Sequence, residues 1–140
     1  MTTAIDTNVL IALWNPSDLL NSEALDALEA VYSEGKLVIC GAVYAELLGL
    51  PGRTEKIIDD FLSDTGIIID WTTNESIWRT AARAYQRYTK RRRDQKQPEP
   101  RRILTDFLVG AHALEKGHSL LTLDKRIFKA AFPSLKIVLV

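Results

Sequence analysis

Four carboxylates lie in or beside apolar runs, where a solvated charge is out of place. Asp6 follows Thr2-Thr3-Ala4-Ile5, Glu46 sits inside Val43-Tyr44-Ala45-Glu46-Leu47-Leu48, Asp106 opens Phe107-Leu108-Val109-Gly110-Ala111, and Asp124 ends Leu120-Leu121-Thr122-Leu123. Taking such an ion out of water costs roughly several kcal/mol unless a partner compensates it. Brought to one point the four would repel one another, and a divalent cation would resolve the repulsion. Carboxylates are the ligands that hard Mg2+ or Mn2+ prefers, with room left for water and a substrate phosphate. Phosphodiester cleavage near neutral pH needs an activated water, charge neutralisation on the phosphate and a stabilised leaving oxygen, and metal ions can supply all three. Asn8, two residues after Asp6, and Thr122, two before Asp124, would support the site by orienting a ligand or water without adding charge. Each acid alone has a plainer reading as a helix cap or solvated residue; the metal site rests on the four taken together.

Something must bring these distant acids together. Short apolar runs at Thr3 to Ile5, Leu37 to Cys40, Ile67 to Asp70, Ser119 to Thr122 and Lys136 to Val140 read as strands, and the segments between them as helices. Nearly continuous apolar strands suit a parallel sheet covered on both faces. The expected fold is a three-layer α/β domain over residues 1–140, a central parallel sheet of four to five strands flanked by helices. Asn21 or Ser22 is expected to cap a helix of Ala24 to Glu34 ended by Gly35, and Pro51-Gly52 to stop the helix carrying Glu46. Asn74 is expected to cap a helix whose buried stripe is Trp78, Ala81, Ala82 and Tyr85, and Gly117 to close the helix that begins near Asp106. Pro98 and Pro100 predict a loop leading into that last helix. Open parallel sheets bind ligands at the carboxyl ends of their strands, where Asp6 and Asp124 fall.

At 140 residues the chain can bury about 68 to 70% of its unfolded surface without disulfides. Cys40 is its only cysteine, which argues against a Cys-rich zinc site, and His112 and His118 read as packing and turn residues. No apolar stretch reaches the ~18 residues of a membrane helix and the start lacks a signal-peptide pattern, so the expected location is the cytoplasm. A zero formal net charge hides a split: residues 1–75 carry 13 acids and 3 bases, residues 76–140 carry 5 acids and 15 bases. Arg79, Arg83, Arg87 and Arg91 recur every four residues, and Lys90, Arg92, Arg93, Lys96, Arg101 and Arg102 extend the density. Such a face suits RNA phosphate contacts, which set affinity but not base choice. The plainer alternative is a solvated face bridged to the acidic half. Apolar surface from Leu10 to Trp14 and Leu47 to Leu50 is expected to be exposed and to receive a partner.

The ordered set Ile5-Asp6-Thr7-Asn8-Val9-Leu10, Ala45-Glu46-Leu47-Leu48, Thr105-Asp106-Phe107-Leu108-Val109-Gly110-Ala111-His112-Ala113-Leu114 and Leu121-Thr122-Leu123-Asp124 resembles the PIN-domain family across essentially the whole chain. Within it the resemblance is to VapC-type toxins of bacterial and archaeal toxin–antitoxin pairs. That resemblance implies a Mg2+- or Mn2+-dependent endoribonuclease with Asp6 and Asp106 as primary metal ligands. It implies Glu46 and Asp124 completing the catalytic set directly or through water, a homodimer, and a cognate antitoxin covering the site. Members often carry further acids before Asp106 or after Asp124. Here Arg101, Arg102, Lys125 and Arg126 stand there, which argues against a fully occupied second metal site. Two other readings are an aspartyl-phosphate phosphotransfer domain, weakened by Asn8 where a second Asp is wanted, and a non-catalytic RNA- or protein-binding module, weakened by the intact acids.

Overall fold

In the computed structural model, which describes residues 1–96 and 104–139, each expected apolar run forms a strand: β1 (Thr2–Ile5), β2 (Lys36–Cys40), β3 (Ile67–Asp70), β4 (Ser119–Thr122) and β5 (Ile137–Leu139). The expected loop at Pro98 and Pro100, and Arg101 and Arg102, lie outside the described residues. All pairings are parallel, in the order β3-β2-β1-β4-β5. The inner strands are apolar because helices cover them on both faces: Leu37, Val38, Ile39 and Cys40 are all buried, as are Leu120 and Leu121. β3 lies at an edge, and its Ile68 is exposed.

The strand order decides where a site can form. From β1 the chain adds β2 and β3 on one side, then returns to place β4 and β5 on the other. The order therefore reverses between β1 and β4, and loops leaving their carboxyl ends diverge to open a crevice. Asp6 follows β1 directly, and Asp124 stands two residues beyond β4.

Seven helices are found among the described residues: α1 (Thr7–Trp14), α2 (Asn21–Glu34), α3 (Gly41–Leu48), α4 (Glu55–Thr65), α5 (Glu75–Asp94), α6 (Leu104–Lys116) and α7 (Lys125–Ala131). Asn74 caps α5 by accepting from the Ile77 N–H at 3.0 Å, as expected. Neither Asn21 nor Ser22 caps α2, whose N-cap is Leu20 without a side-chain bond. The Asn21 amide instead donates to the carbonyls of Ala12 and Leu13, satisfying the end of α1 that meets α2 in the same corner. Gly117, at φ +71°, closes α6 in the left-handed conformation that favours glycine.

Two expectations are corrected by packing. The buried stripe of α5 is Ile77, Ala81, Ala84 and Tyr88, whereas Trp78 is 47% exposed and Ala82 faces solvent. Tyr85 and Tyr88 both pack on Phe107 of α6, at ring separations of 5.2 and 5.3 Å, and that contact fixes the helix's rotation. Leu10, Ala12 and Leu47 are buried, because α1 and α3 pack against each other and against the sheet. Among the described residues the most exposed large apolar side chains are Leu19, Trp71, Tyr32 and Ile68; within the expected runs Ile11 is exposed and Leu13, Trp14, Leu48 and Leu50 are half-buried.

α6 meets α7 closely at Gly110, where an added Cβ would stand 2.3 Å from a Phe132 ring carbon and 3.1 Å from Phe128. Both rings are buried, so neither can swing aside without opening the core. Gly110→Ala is expected to lower stability by about 1–3 kcal/mol despite Ala's better helix propensity, measured by urea unfolding. An unchanged midpoint would show that the rings yield.

Candidate functional site

Past Ile5 the chain makes one last bond to β4, the Asp6 N–H donating to the Leu121 carbonyl at 2.9 Å, and Asp6 then caps α1. Asp6 has extended backbone angles and its Oδ1 accepts from the Thr7 N–H at 2.8 Å. Its other oxygen, Oδ2, accepts from the Thr122 hydroxyl at 2.8 Å across the β1–β4 boundary. That hydroxyl in turn accepts from the Asp124 N–H at 3.0 Å. One threonine therefore holds the Asp6 carboxylate and shapes the turn carrying Asp124. Asn8 spans the same boundary, its Oδ1 accepting from the Leu123 N–H at 3.2 Å. Its oxygen is thus a clamp on the β4–α7 turn.

Opposite these, the Thr7 hydroxyl donates to Glu46 Oε1 at 2.7 Å, tying α1 to α3. A cleft of about 200 Å3 results, lined by Asp6, Thr7, Asn8, Ile11, Glu46, Asp106, Asp124 and Phe128. All four sequence-distant acids line this one cleft. Thr7 was not among the residues singled out by sequence, since a threonine opening a helix reads as a capping residue.

Electrostatics in the cleft centre on Asp6. It is 5% exposed, and its pKa is raised to about 6: burial raises it most and the charges of Asp106 and Glu46 add to that, while the hydrogen bonds from Thr122 and the Thr7 N–H oppose them. A carboxylate desolvated among other carboxylates creates a demand for positive charge. Among the described residues, no three Asp, Glu, His or Cys side chains converge closely enough to enclose an ion in this conformation. An all-oxygen set of this openness fits a hard ion that keeps several waters and binds through one or two carboxylates. Cys40, at the end of β2, is a buried thiol whose pKa burial raises, and it offers no nucleophile.

The histidines lie elsewhere. His112 is 1% exposed and its Nε2 is 2.9 Å from Asp70 Oδ2, with Lys116 at 3.8 Å from the same oxygen. Burial would raise the Asp70 pKa, but the His112 hydrogen bond, the Thr72 N–H and the nearby cations hold it below the ordinary carboxylate range. This group fastens the end of β3 to α6. His118, at the turn after α6, packs edge-on against His112.

The basic helix packs on α6 and α7, two of the helices whose residues line the cleft. α5 packs chiefly on α6, and its Tyr85 and Tyr88 rest on Phe107, the residue after Asp106. Its last turns are thereby held beside the acid-bearing start of α6. The cations differ in their commitments. Arg79 pairs with Glu75 and Lys90 with Asp94, each at 2.7 Å within the helix. Arg83 reaches Thr80, and Arg87 makes a long contact of 3.5 Å to the Ala131 carbonyl of α7. Arg92 lies over the Tyr88 ring, with two buried guanidinium nitrogens that find no hydrogen-bond partner among the described residues. Arg91 and Arg93 are exposed.

A parallel sheet whose switch point carries a buried carboxylate among three further acids defines an α/β protein of the acidic-cleft type. The PIN domain family model matches residues 3–133, and the chain belongs to that family. No curated protein matches the sequence. Solved structures share the fold at low identity. VapBC-1 of nontypeable Haemophilus influenzae has a TM-score of 0.66 at 22% identity, covering 99% of this chain and 97% of its own. VapBC2 of Rickettsia felis, bound to a DNA fragment from its promoter, has a TM-score of 0.62 at 20% identity, covering 100% and 99%. VapC20 of Mycobacterium tuberculosis, described as a sarcin–ricin loop cleaving toxin, has a TM-score of 0.57 at 17% identity, covering 93% and 95%.

Proposed function

We propose that this chain is the toxin of a toxin–antitoxin pair, a Mg2+-dependent endoribonuclease in which Mn2+ can substitute. The observation that carries the reading is the switch-point cleft, where Asp6 is buried with Asp106, Glu46 and Asp124 on the surrounding walls. Membership of the PIN domain family and the likeness to VapBC structures support it.

Asp6 and Asp106 would hold the ion, and Glu46 and Asp124 would complete the set directly or through water. When bound, the ion supplies charge neutralisation on the phosphate and eases deprotonation of the attacking water. The chain's own groups do the rest. Thr122 and the Thr7 N–H keep Asp6 oriented, and the α7 turn, clamped by Asn8, keeps Asp124 at the rim. Arg79, Arg83, Arg87, Arg91, Arg92 and Arg93 of α5, with Arg101 and Arg102 after them, would hold backbone phosphates of the RNA. Exposed Leu19, Tyr32, Ile68 and Trp71 give apolar surface for a second copy and for the antitoxin. Among the described residues no helix is long and apolar enough to cross a membrane.

Phosphotransfer through Asp6 is disfavoured by the sequence: Asn8 stands where that chemistry wants a second Asp. RNA cleavage by the purified chain, freed of partner, tests the reading. Wild type is expected to cut an end-labelled RNA with Mg2+, and Asp106→Asn to slow cleavage by about a hundredfold or more. Equal cleavage by both proteins would remove the proposed site, and a folded wild type without cleavage would leave only a binding module.

A further inference from the structure

Thr7 occupies an unusual position between two of the acids. Its N–H donates to Asp6 Oδ1 at 2.8 Å and its hydroxyl to Glu46 Oε1 at 2.7 Å, so one residue grips a carboxylate on each side. As the first residue of α1, it has no carbonyl a turn earlier in its own helix for the hydroxyl to bond. The side chain is 6% exposed, and a buried hydroxyl must find a partner. It finds one 39 residues away, on a different helix.

Glu46 needs this restraint. It projects from α3 on a side chain with several rotatable bonds, it is only partly buried, and its charge is felt at Asp6. Like charge favours swinging Glu46 out to water. We propose that Thr7 is a positioning residue that holds the Glu46 carboxylate beside Asp6 and thereby raises the affinity of the cleft for a divalent cation. This rests on the ion site proposed above. Thr7 acts through Glu46 and does not itself contact the ion; the hydroxyl fixes Oε1, which sets the carboxylate plane and the direction of Oε2.

The test is Mn2+ affinity in the absence of RNA, read from the electron paramagnetic resonance signal of free Mn2+. Thr7→Val keeps the side-chain shape and removes the hydroxyl; it is expected to weaken binding roughly tenfold, the effect typical of losing a group that orients a ligand. Thr7→Ser restores the hydroxyl and is expected to bind within about twofold of wild type. In a Glu46→Ala background, Thr7→Val is expected to add nothing, because the group it acts through is gone. Thermal melting of each metal-free variant establishes that it is folded, and Thr7→Ala replaces Thr7→Val if the latter does not fold. Wild-type affinity in Thr7→Val overturns the proposal. So does a Thr7→Ser protein as weak as Thr7→Val, which would assign the effect to packing, or an undiminished Thr7 effect without Glu46. A wild type that takes up no Mn2+ sinks the ion site itself, and does so before any Thr7 variant is compared.

Discussion

Asp6→Asn is expected to make the metal-free protein more stable at pH 7.5 while abolishing ion uptake and RNA cleavage. The direction follows from proton linkage. The Asp6 pKa is about 6 in the folded chain against an ordinary 3.8, so the folded state binds the proton more tightly. The stability this confers is fully present below pH 3.8 and is lost as pH rises through 6. Above that, the ionised group costs the fold at most about 3 kcal/mol. Asparagine avoids the charge and keeps an oxygen for the Thr7 N–H, but its amide nitrogen must replace the oxygen that accepts from Thr122. That hydroxyl then has to turn, so the expected net gain is about 1–2 kcal/mol at pH 7.5; near pH 4, where the charge cost is gone and the mismatch remains, the variant is expected to be slightly the less stable. Urea unfolding in chelator at both pH values measures it. Saturating Mn2+ should stabilise wild type and leave the variant unmoved. A variant less stable than wild type at pH 7.5 without metal would show that the carboxylate is held for structural reasons.

The second large effect concerns the basic helix. Replacing Arg87, Arg91 and Arg93 together by Gln is expected to weaken RNA binding on the order of a hundredfold at low salt and to reduce the slope of log affinity against log salt by about two. The substitutions spare Arg92, which packs on Tyr88 and has buried guanidinium nitrogens. Cleavage at saturating RNA should be nearly unchanged, since these groups contact phosphates and not the reacting atoms. Arg91 and Arg93 also lie in the last turn of α5, where positive charge favours the helix dipole; losing them costs stability by about 0.3–1 kcal/mol each. Filter binding across a salt series separates the effects. An unaltered salt slope would mean that RNA runs over another face.

The sheet was legible because its strands are continuous apolar runs bounded by turn residues, and parallel strands buried on both faces leave that pattern. The acids were legible for the opposite reason, as charge where the pattern wanted none. What escaped depended on contacts between elements. In α5 the stripes Ile77-Ala81-Ala84-Tyr88 and Trp78-Ala81-Ala82-Tyr85 both follow helical spacing; the packing of Tyr88 on Phe107 selects the first and leaves Tyr85 half-buried at the edge of the same contact. Asn21 looked like a cap for the helix ahead, yet it serves the end of the helix behind. Asn8 was correctly placed at the cleft, but its bond to the Leu123 N–H is a contact that no local pattern encodes. Thr7 was hidden for a related reason: its hydroxyl reaches Glu46 only once α1 and α3 lie together on the sheet. A threonine directly after a strand-end aspartate is the one signal that would have found it.

On the reading proposed above, the switch-point cleft is built around a buried negative charge that a divalent ion balances. Titration calorimetry of the purified, partner-free chain with Mn2+ at pH 7.5 tests this most directly. Uptake is expected in wild type, lost in Asp6→Asn and in Asp106→Asn. No uptake by folded wild type, or equal uptake by all three proteins, would contradict it.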